Sequence, residues 1–189
     1  MQIVPNPSEQ LLSHRAKGAS GSVVFCGLEG SRPLLCDVQA LASTSYFGTP
    51  RRTVGGADTG RVALLLAVLE KRGNLKVSQC DAYLNIIGGL TLEEPAADLS
   101  AVVAIASSYL DKPVPSHMAA IGEVGLSGEI RSINHMEQRL SEVQRLGFTQ
   151  CIVPEHRVKE MKELPHLELL PVQNVAQALQ LLVQGKLMK

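Results

Sequence analysis

The stretch LTLEEPAADLSAVVAIASS, Leu90 to Ser108, is a junction of a kind at which many enzymes keep a nucleophile: an acidic, Pro-containing turn runs straight into an apolar helix. Pro95 falls near the first helical turn, where its fixed φ and missing N–H cost least. The residues that follow are Ala96 and Ala97, which carry nothing that can attack. Glu93, Glu94 and Asp98 gather at the same place, where the helix dipole stabilises negative charge. A metal or acid/base site would need a further ligand such as His beside them, and none is evident, so they read as helix-start acidity. Ser100, Ser107 and Ser108 lie inside the helix, where presenting an Oγ to a substrate is awkward, and Ser100 and Ser107 share a face that suits close packing on a strand. His135 has no Asp partner at readable spacing, so a Ser-His-Asp triad has no support.

Two other groups of residues could do chemistry. GGADTGRV, Gly55 to Val62, has the outline of a phosphate-binding loop, but Arg61 and Val62 stand where Lys and Ser or Thr are required, and YFGTPRRTV is a poor preceding strand. It reads as a turn in which Asp58 or Thr59 caps a helix. Among the basic residues, Arg51 and Arg52 pair in a Gly/Thr-rich loop and Lys71 and Arg72 at a helix end. The helix dipole accounts for the second pair. No local structural reason is visible for the first, which makes Arg51 and Arg52 the first candidates for a phosphate contact and Lys71 and Arg72 the second.

The bulk composition bounds what these groups can serve. At 189 residues and 45% hydrophobic the chain can bury a real core in one domain. Eighteen basic residues balance 18 acidic ones, so any binding to nucleic acid must come from a local patch. Aromatics are 3% with no Trp, which leaves little for a base-stacking platform. Cys26, Cys36, Cys80 and Cys151 sit singly, without C-x-x-C spacing or adjacent His, which indicates buried reduced thiols and argues against structural zinc. The longest apolar runs, such as VALLLAVL, fall far short of the roughly 20 residues of a bilayer span, and MQIVPNPSEQ lacks the form of a signal peptide. A cytoplasmic protein with no membrane contact is expected.

The elements that must position these residues follow from pattern. Residues 1–20 read as an extended lead-in, and 21–189 as a single domain. Val23 to Leu28 and Pro33 to Ala42 flank EGSR as a hairpin. A helix from Arg61 is stopped by Gly73 at C′, and DAYLNIIGGL is a strand. A second helix covers about Ala96 to Tyr109, and HMAAIGEVGLSGEIRSI is a strand, a tight turn and a return strand. MEQRLSEVQRLG is amphipathic, with Met136, Leu140, Val143 and Leu146 on one side. The chain closes with strand QCIVPE, helix RVKEMKEL, strand LELLPV and helix NVAQALQLLVQG capped by Asn174. The class is α/β or α+β, with helices packed on a mixed sheet.

Read together, NPSEQLLSHRAKGASGSVVFCGLEGSRPLLCDVQAL, FGTPRRTVGG, EEPAADLSAVVAIASS, KPVPSHMAAIGEVGLSGEIRSI and RLGFTQCIVPE resemble, in order and across nearly the whole chain, the C-terminal domain of the RadA (Sms) family of bacterial DNA-repair proteins. That domain is similar to the proteolytic domain of Lon proteases, whose α/β fold is related to the second domain of ribosomal protein S five. Active Lon domains carry a nucleophilic serine in DGPSAG and a general-base lysine in GGLKEK. On this resemblance EEPAAD puts Ala96 at the serine position and GEVGLSGEIRSINHMEQR puts Glu137 at the lysine position. A methyl group cannot attack a carbonyl, and a carboxylate cannot replace the amine that activates a hydroxyl.

The resemblance therefore implies a non-catalytic, pseudoprotease domain. It also implies a homo-oligomer, a hexameric ring, and sequence-independent DNA contact through Arg51, Arg52, Lys71 and Arg72. The family's zinc finger, RecA-like ATPase core and KNRFG motif are not in these residues, so no cofactor is expected here, and ATP, Mg and Zn belong to the rest of such a parent, a DNA-dependent ATPase. Two alternatives stand beside this expectation. One is a peptide-binding or chaperone-like module lined by Ala96 and Glu137; the other is a residual hydrolase using Ser100 or another serine.

Overall fold

A computed structural model describes residues 7–13, 15–46, 48–87, 94–156 and 158–184. Its strands are β1 (Ser22–Glu29), β2 (Arg32–Thr44), β3 (Arg52–Gly55), β4 (Cys80–Ile87), β5 (Met118–Ala120), β6 (Glu123–Val124), β7 (Ile130–Arg131), β8 (Gln150–Pro154) and β9 (Glu168–Val172). Seven of them form one sheet in the order β3-β4-β2-β1-β5-β8-β9, and β6 and β7 pair separately as a small hairpin. The β1–β2 and β2–β4 pairs are antiparallel. The pairs β3–β4, β1–β5, β5–β8 and β8–β9 are parallel, giving the mixed sheet of an α/β fold. Parallel neighbours need long crossovers, and helices lie in those of β3–β4, β1–β5 and β5–β8, while β8 and β9 are joined by a segment with a single 3-10 turn.

Those helices are α1 (Pro7–Leu12), α2 (Thr59–Gly73), α3 (Asp98–Leu110), α4 (Met136–Arg145) and α5 (Val175–Val183). Alternation along the strands divides the core into two layers. Leu34, Cys36 and Val38 of β2, with Leu84 and Ile86 of β4, face α2, α3 and α5. Leu35 of β2, with Val24 and Cys26 of β1, faces the layer of α4. Helix α3 is buried without a break from Asp98 to Ser107, as its all-round apolar pattern requires.

Several sequence expectations are met closely. The β1–β2 hairpin turns between Glu29 and Arg32. Asp58 caps α2, its side chain accepting from the Arg61 N–H, and Asn174 caps α5 in the same way from Gln177. Cys26, Cys36 and Cys151 are buried and Cys80 is partly so.

Other expectations are corrected. The lead-in over residues 1–20 is not extended throughout, because Pro7–Leu12 is helical. Its Ser8 Oγ accepts from the Leu35 N–H, which ties α1 to β2. Helix α2 ends one residue later than expected, with Asn74 at φ 57 in the left-handed cap. Gly73 lies against α5: a Cβ on it would stand 2.8 Å from the tip of the Leu179 side chain, Cδ1. RVKEMKEL is not a helix but a single 3-10 turn, Val158–Glu160. Val158, Met161 and Leu164 repeat every three residues and all pack on the α4 layer, a spacing suited to a three-residue turn. The Gly pair of DAYLNIIGGL and Glu93 lie outside the described residues.

Candidate functional site

Pro95–Ala97 forms a 3-10 turn that feeds directly into α3. The Ala96 carbonyl accepts from the Gly122 N–H at 3.0 Å, and the Leu99 N–H donates to the Gly122 carbonyl at 3.0 Å, so the turn is stitched to the segment joining β5 and β6. Ala96 is 1% exposed. It borders a hollow of about 330 Å³ that is also lined by Glu94, Glu123, Asn134 and Arg139. Glu137, at the start of α4, is exposed and lines a neighbouring hollow of about 570 Å³ with His135, Gln138 and Met161. The two hollows share Ser132, Ile133 and Asn134. The structure thus brings Ala96 and Glu137 to one region but into adjoining depressions.

Two arginines make buried ion pairs at the turn into α3: Arg139, which the sequence patterns did not single out, and Arg61, whose partner they did not reveal. The Arg139 guanidinium, 4% exposed, donates to the Glu94 carboxylate, to the Cys26 carbonyl at 2.7 Å and to the Asn134 carbonyl at 3.1 Å. It closes the inner wall of the hollow beside Ala96 with every face of its fork engaged. Arg61, from the first turn of α2, donates through both Nε and Nη2 to the fully buried Asp98 carboxylate, which also accepts from the Val124 N–H at 3.1 Å. The hydrogen bond to Asp98 holds the Arg61 guanidinium above its ordinary range. Burial pushes the Asp98 carboxyl up, against the pull of Arg61 and the Val124 N–H. Of the acidic residues read as helix-start charge, Glu94 and Asp98 are therefore also partners of arginines from other elements. A signal for Arg139 was present: it falls on the stripe of Met136, Leu140 and Val143, and a cation on an apolar face needs a buried partner.

The other candidates find plainer places. Ser100 is fully buried and its Oγ donates to the Ala97 carbonyl at 2.7 Å, facing neither hollow. Ser107 Oγ accepts from the Gly21 N–H and Ser108 Oγ from the Ala42 N–H, so both tie α3 to the β1–β2 hairpin. His135 takes the left-handed conformation, φ 58, ahead of α4. The loop of Gly55 to Val62 holds its own cap, Asp58, and turns Arg61 inward to Asp98.

Arg52 gains the local structural reason that its sequence context lacked. Its guanidinium donates to the carbonyls of Arg51, Val77, Ser78 and Cys80, tying β3 to the 3-10 turn Val77–Gln79 that precedes β4. The backbone of Arg51 is held by Asp81, whose carboxylate accepts its N–H at 2.7 Å, and its side chain is exposed. Lys71 is also exposed. Arg72 lays its stem on the turn between β6 and β7, where a Cβ on Gly128 would stand 2.8 Å from Arg72 Cβ. Because Asn74 to Lys76 alone separates the end of α2 from that 3-10 turn, the two basic pairs lie at one end of the molecule.

Comparison with known proteins fits this geometry. Residues 76–185, which contain both Ala96 and Glu137, match the family model of the Lon protease C-terminal proteolytic domain. The chain is 45% identical over 182 residues to the DNA repair protein RadA of Bacillus subtilis, covering 96% of this chain and 40% of that protein. It is 44% identical over 176 residues to the DNA repair protein RadA of Listeria monocytogenes, covering 93% of this chain and 38% of the relative. The RadA protein of Streptococcus pneumoniae is likewise 44% identical over 176 residues, 93% of this chain and 42% of the relative. The chain spans about two fifths of the length of these relatives. With its helix-entry turn, β6–β7 hairpin and following helix matched as a unit, the chain belongs to the family of Lon protease C-terminal proteolytic domains.

Proposed function

We propose that this is a non-catalytic Lon-like domain of a RadA-type DNA-repair ATPase, serving as an oligomerisation and sequence-independent DNA-binding scaffold in the processing of recombination intermediates. The observation that carries the proposal is the methyl group of Ala96, 1% exposed, at the turn into α3, with the Arg139–Glu94 ion pair beside it. The Ala96 methyl cannot form a covalent bond to an acyl carbon, Ser132 at the edge of the hollow donates its hydroxyl to the His156 carbonyl, and the carboxylate of Glu137 opens on a neighbouring hollow. A fold kept without its nucleophile is useful for its surfaces. Ring assembly repeats each surface cation around an axis, and electrostatic affinity grows with the number of phosphates neutralised. Arg51 and Lys71, both exposed at one end of the molecule, carry the phosphate contact in this reading. Arg52 positions the strand that presents Arg51, and Arg72 braces the hairpin turn. The expected ring is a hexamer, and ATP, Mg and Zn chemistry belongs to the remainder of the parent protein.

Intact-mass analysis after incubation with a fluorophosphonate tests the non-catalytic half of the proposal: no adduct is expected, and stoichiometric modification of one serine would overturn it. A second reading has one observation in its favour. The two adjoining hollows at Ala96 and Glu137 are lined by polar groups and could accept a peptide without cleaving it. Under that reading, substitutions at Arg51 and Lys71 leave DNA affinity unchanged.

A further inference from the structure

Tyr46 is 85% exposed, more than any other large apolar side chain among the described residues, and its ring adds almost nothing to the core. The backbone around it is nevertheless held. The Ser45 N–H donates to the Gln79 carbonyl at 3.4 Å, and at the far end of the β2–β3 loop the Arg51 N–H donates to the Asp81 carboxylate at 2.7 Å. That second bond keeps the Asp81 carboxyl below its ordinary range, so the clamp is intact at neutral pH. The Ser45 bond sets Tyr46 beside the 3-10 turn Val77–Gln79, the turn whose carbonyls receive the Arg52 guanidinium. Lys76 enters that turn, and it is exposed, as Arg51 and Lys71 are. Glu70, the acid beside Lys71 on α2, is taken up by the N–H and hydroxyl of Ser78, both at 2.7 Å. One phenol ring therefore shares an end of the molecule with three exposed cations, on a loop fixed at both ends.

We infer that Tyr46 stacks on an unpaired base of a DNA strand whose phosphates are neutralised by Arg51, Lys71 and Lys76. The inference rests on the DNA-contact half of the proposed function and adds the residue that tells an unpaired strand from a duplex. Cations alone do not discriminate, because both forms present phosphates. A base inside a duplex has both faces covered by its neighbours in the stack, so a ring gains nothing from it. An unpaired base offers a face, and the contact is blind to sequence because every base has one. A single ring in a chain with 3% aromatic residues is no platform for a run of bases, but it serves one base per copy. The clamped loop favours the contact: the backbone on either side is already ordered, and only the rotamers of the ring are lost on stacking.

Fluorescence anisotropy of the 189-residue chain with a labelled single strand of mixed sequence, and with its duplex, each across a salt series, tests this. Tyr46→Ala is expected to weaken single-strand binding at least about fivefold, to leave duplex binding and both salt slopes unchanged, and to be rescued by Tyr46→Phe. Lys76→Ala should instead weaken both forms and make both slopes shallower. Because the chain has no Trp, Tyr46→Trp supplies a lone reporter whose emission the single strand should quench and the duplex should not. Residue 46 is exposed enough for its variants to keep the unfolding midpoint of the unsubstituted chain. Single-strand affinity unchanged in Tyr46→Ala, with no quenching of Tyr46→Trp, overturns the stacking role and leaves the DNA scaffold standing. An equal loss on both forms of DNA does the same. Absence of salt-dependent binding to either form overturns both. Flotation with phosphatidylglycerol vesicles that Tyr46→Ala abolishes, without a change in single-strand affinity, overturns the inference in favour of a membrane surface.

Discussion

The Arg139 guanidinium, carried on the apolar side of α4, is paired with the carboxylate of Glu94, two residues ahead of Ala96, and anchors the same wall to the carbonyl of Cys26 on β1. One side chain therefore joins α4, β1 and the turn into α3. Removing it leaves two carbonyls and one oxygen of the carboxylate without the arginine donor, while the other oxygen still accepts from the Leu28 N–H at 3.1 Å. Glu94 is 26% exposed, so water recovers part of the loss. Arg139→Met is expected to lower the unfolding free energy by about 3 kcal/mol, the low end for breaking a buried pair from one side, read from the urea midpoint. A midpoint within error of the unsubstituted chain would show that the pair is incidental.

The same pair bears on whether catalysis can be restored. Under the proposed assignment, replacing Ala96→Ser and Glu137→Lys together puts a hydroxyl and an amine at the two dyad positions, but residue 96 is 1% exposed and residue 137 faces a different hollow. A serine is activated only by a base within hydrogen-bond reach. The double variant is expected to remain unlabelled by a fluorophosphonate and inert toward casein. Stoichiometric labelling at position 96 would show that the site is disabled by side-chain identity alone.

Both the ease and the difficulty of reading this site in the sequence have physical causes. The β1–β2 hairpin, the caps Asp58 and Asn174 and the all-apolar α3 are local patterns, set by periodicity and turn chemistry, and each is found where expected. Ala96 and Glu137 were picked out by a motif resemblance, which carries positions with it. The pairs Arg139–Glu94 and Arg61–Asp98 join residues 45 and 37 apart in the chain, and no local pattern reveals which acid meets which base. Arg52 shows the same limit. Four carbonyls occupy its guanidinium, three of them more than 20 residues away, so it looked unattached in the sequence. RVKEMKEL failed for a different reason: its apolar residues repeat at three, close enough to helical spacing to mislead.

The thiols give a prediction about pH. Burial pushes Cys26 and Cys36 up to about 12, and Cys151 up as well. In the unfolded chain the same groups ionise near their ordinary value of 9.0. Above that value the unfolded state releases protons that the folded state retains, so the contribution is intact below pH 9 and is lost as pH rises toward 12. Stability to urea is expected to fall between pH 9 and 10.5, and Cys26→Ala with Cys36→Ala should flatten that fall. At pH 8 a thiol reagent should modify only Cys80 in the folded protein and all four cysteines in denaturant. Rapid modification of Cys26 or Cys151 in native conditions would contradict their burial.

Binding to DNA across a salt series bears most directly on the scaffold reading. Single-stranded and duplex DNA of mixed sequence should bind the unsubstituted chain with an affinity that falls linearly on a log–log plot, independent of sequence. Arg51→Ala with Lys71→Ala should weaken binding by roughly tenfold or more, and make the salt slope shallower by about one for each phosphate no longer neutralised. Unchanged affinity with an unchanged slope would remove DNA from the function of these surfaces and turn attention to peptides in the hollows beside Ala96 and Glu137.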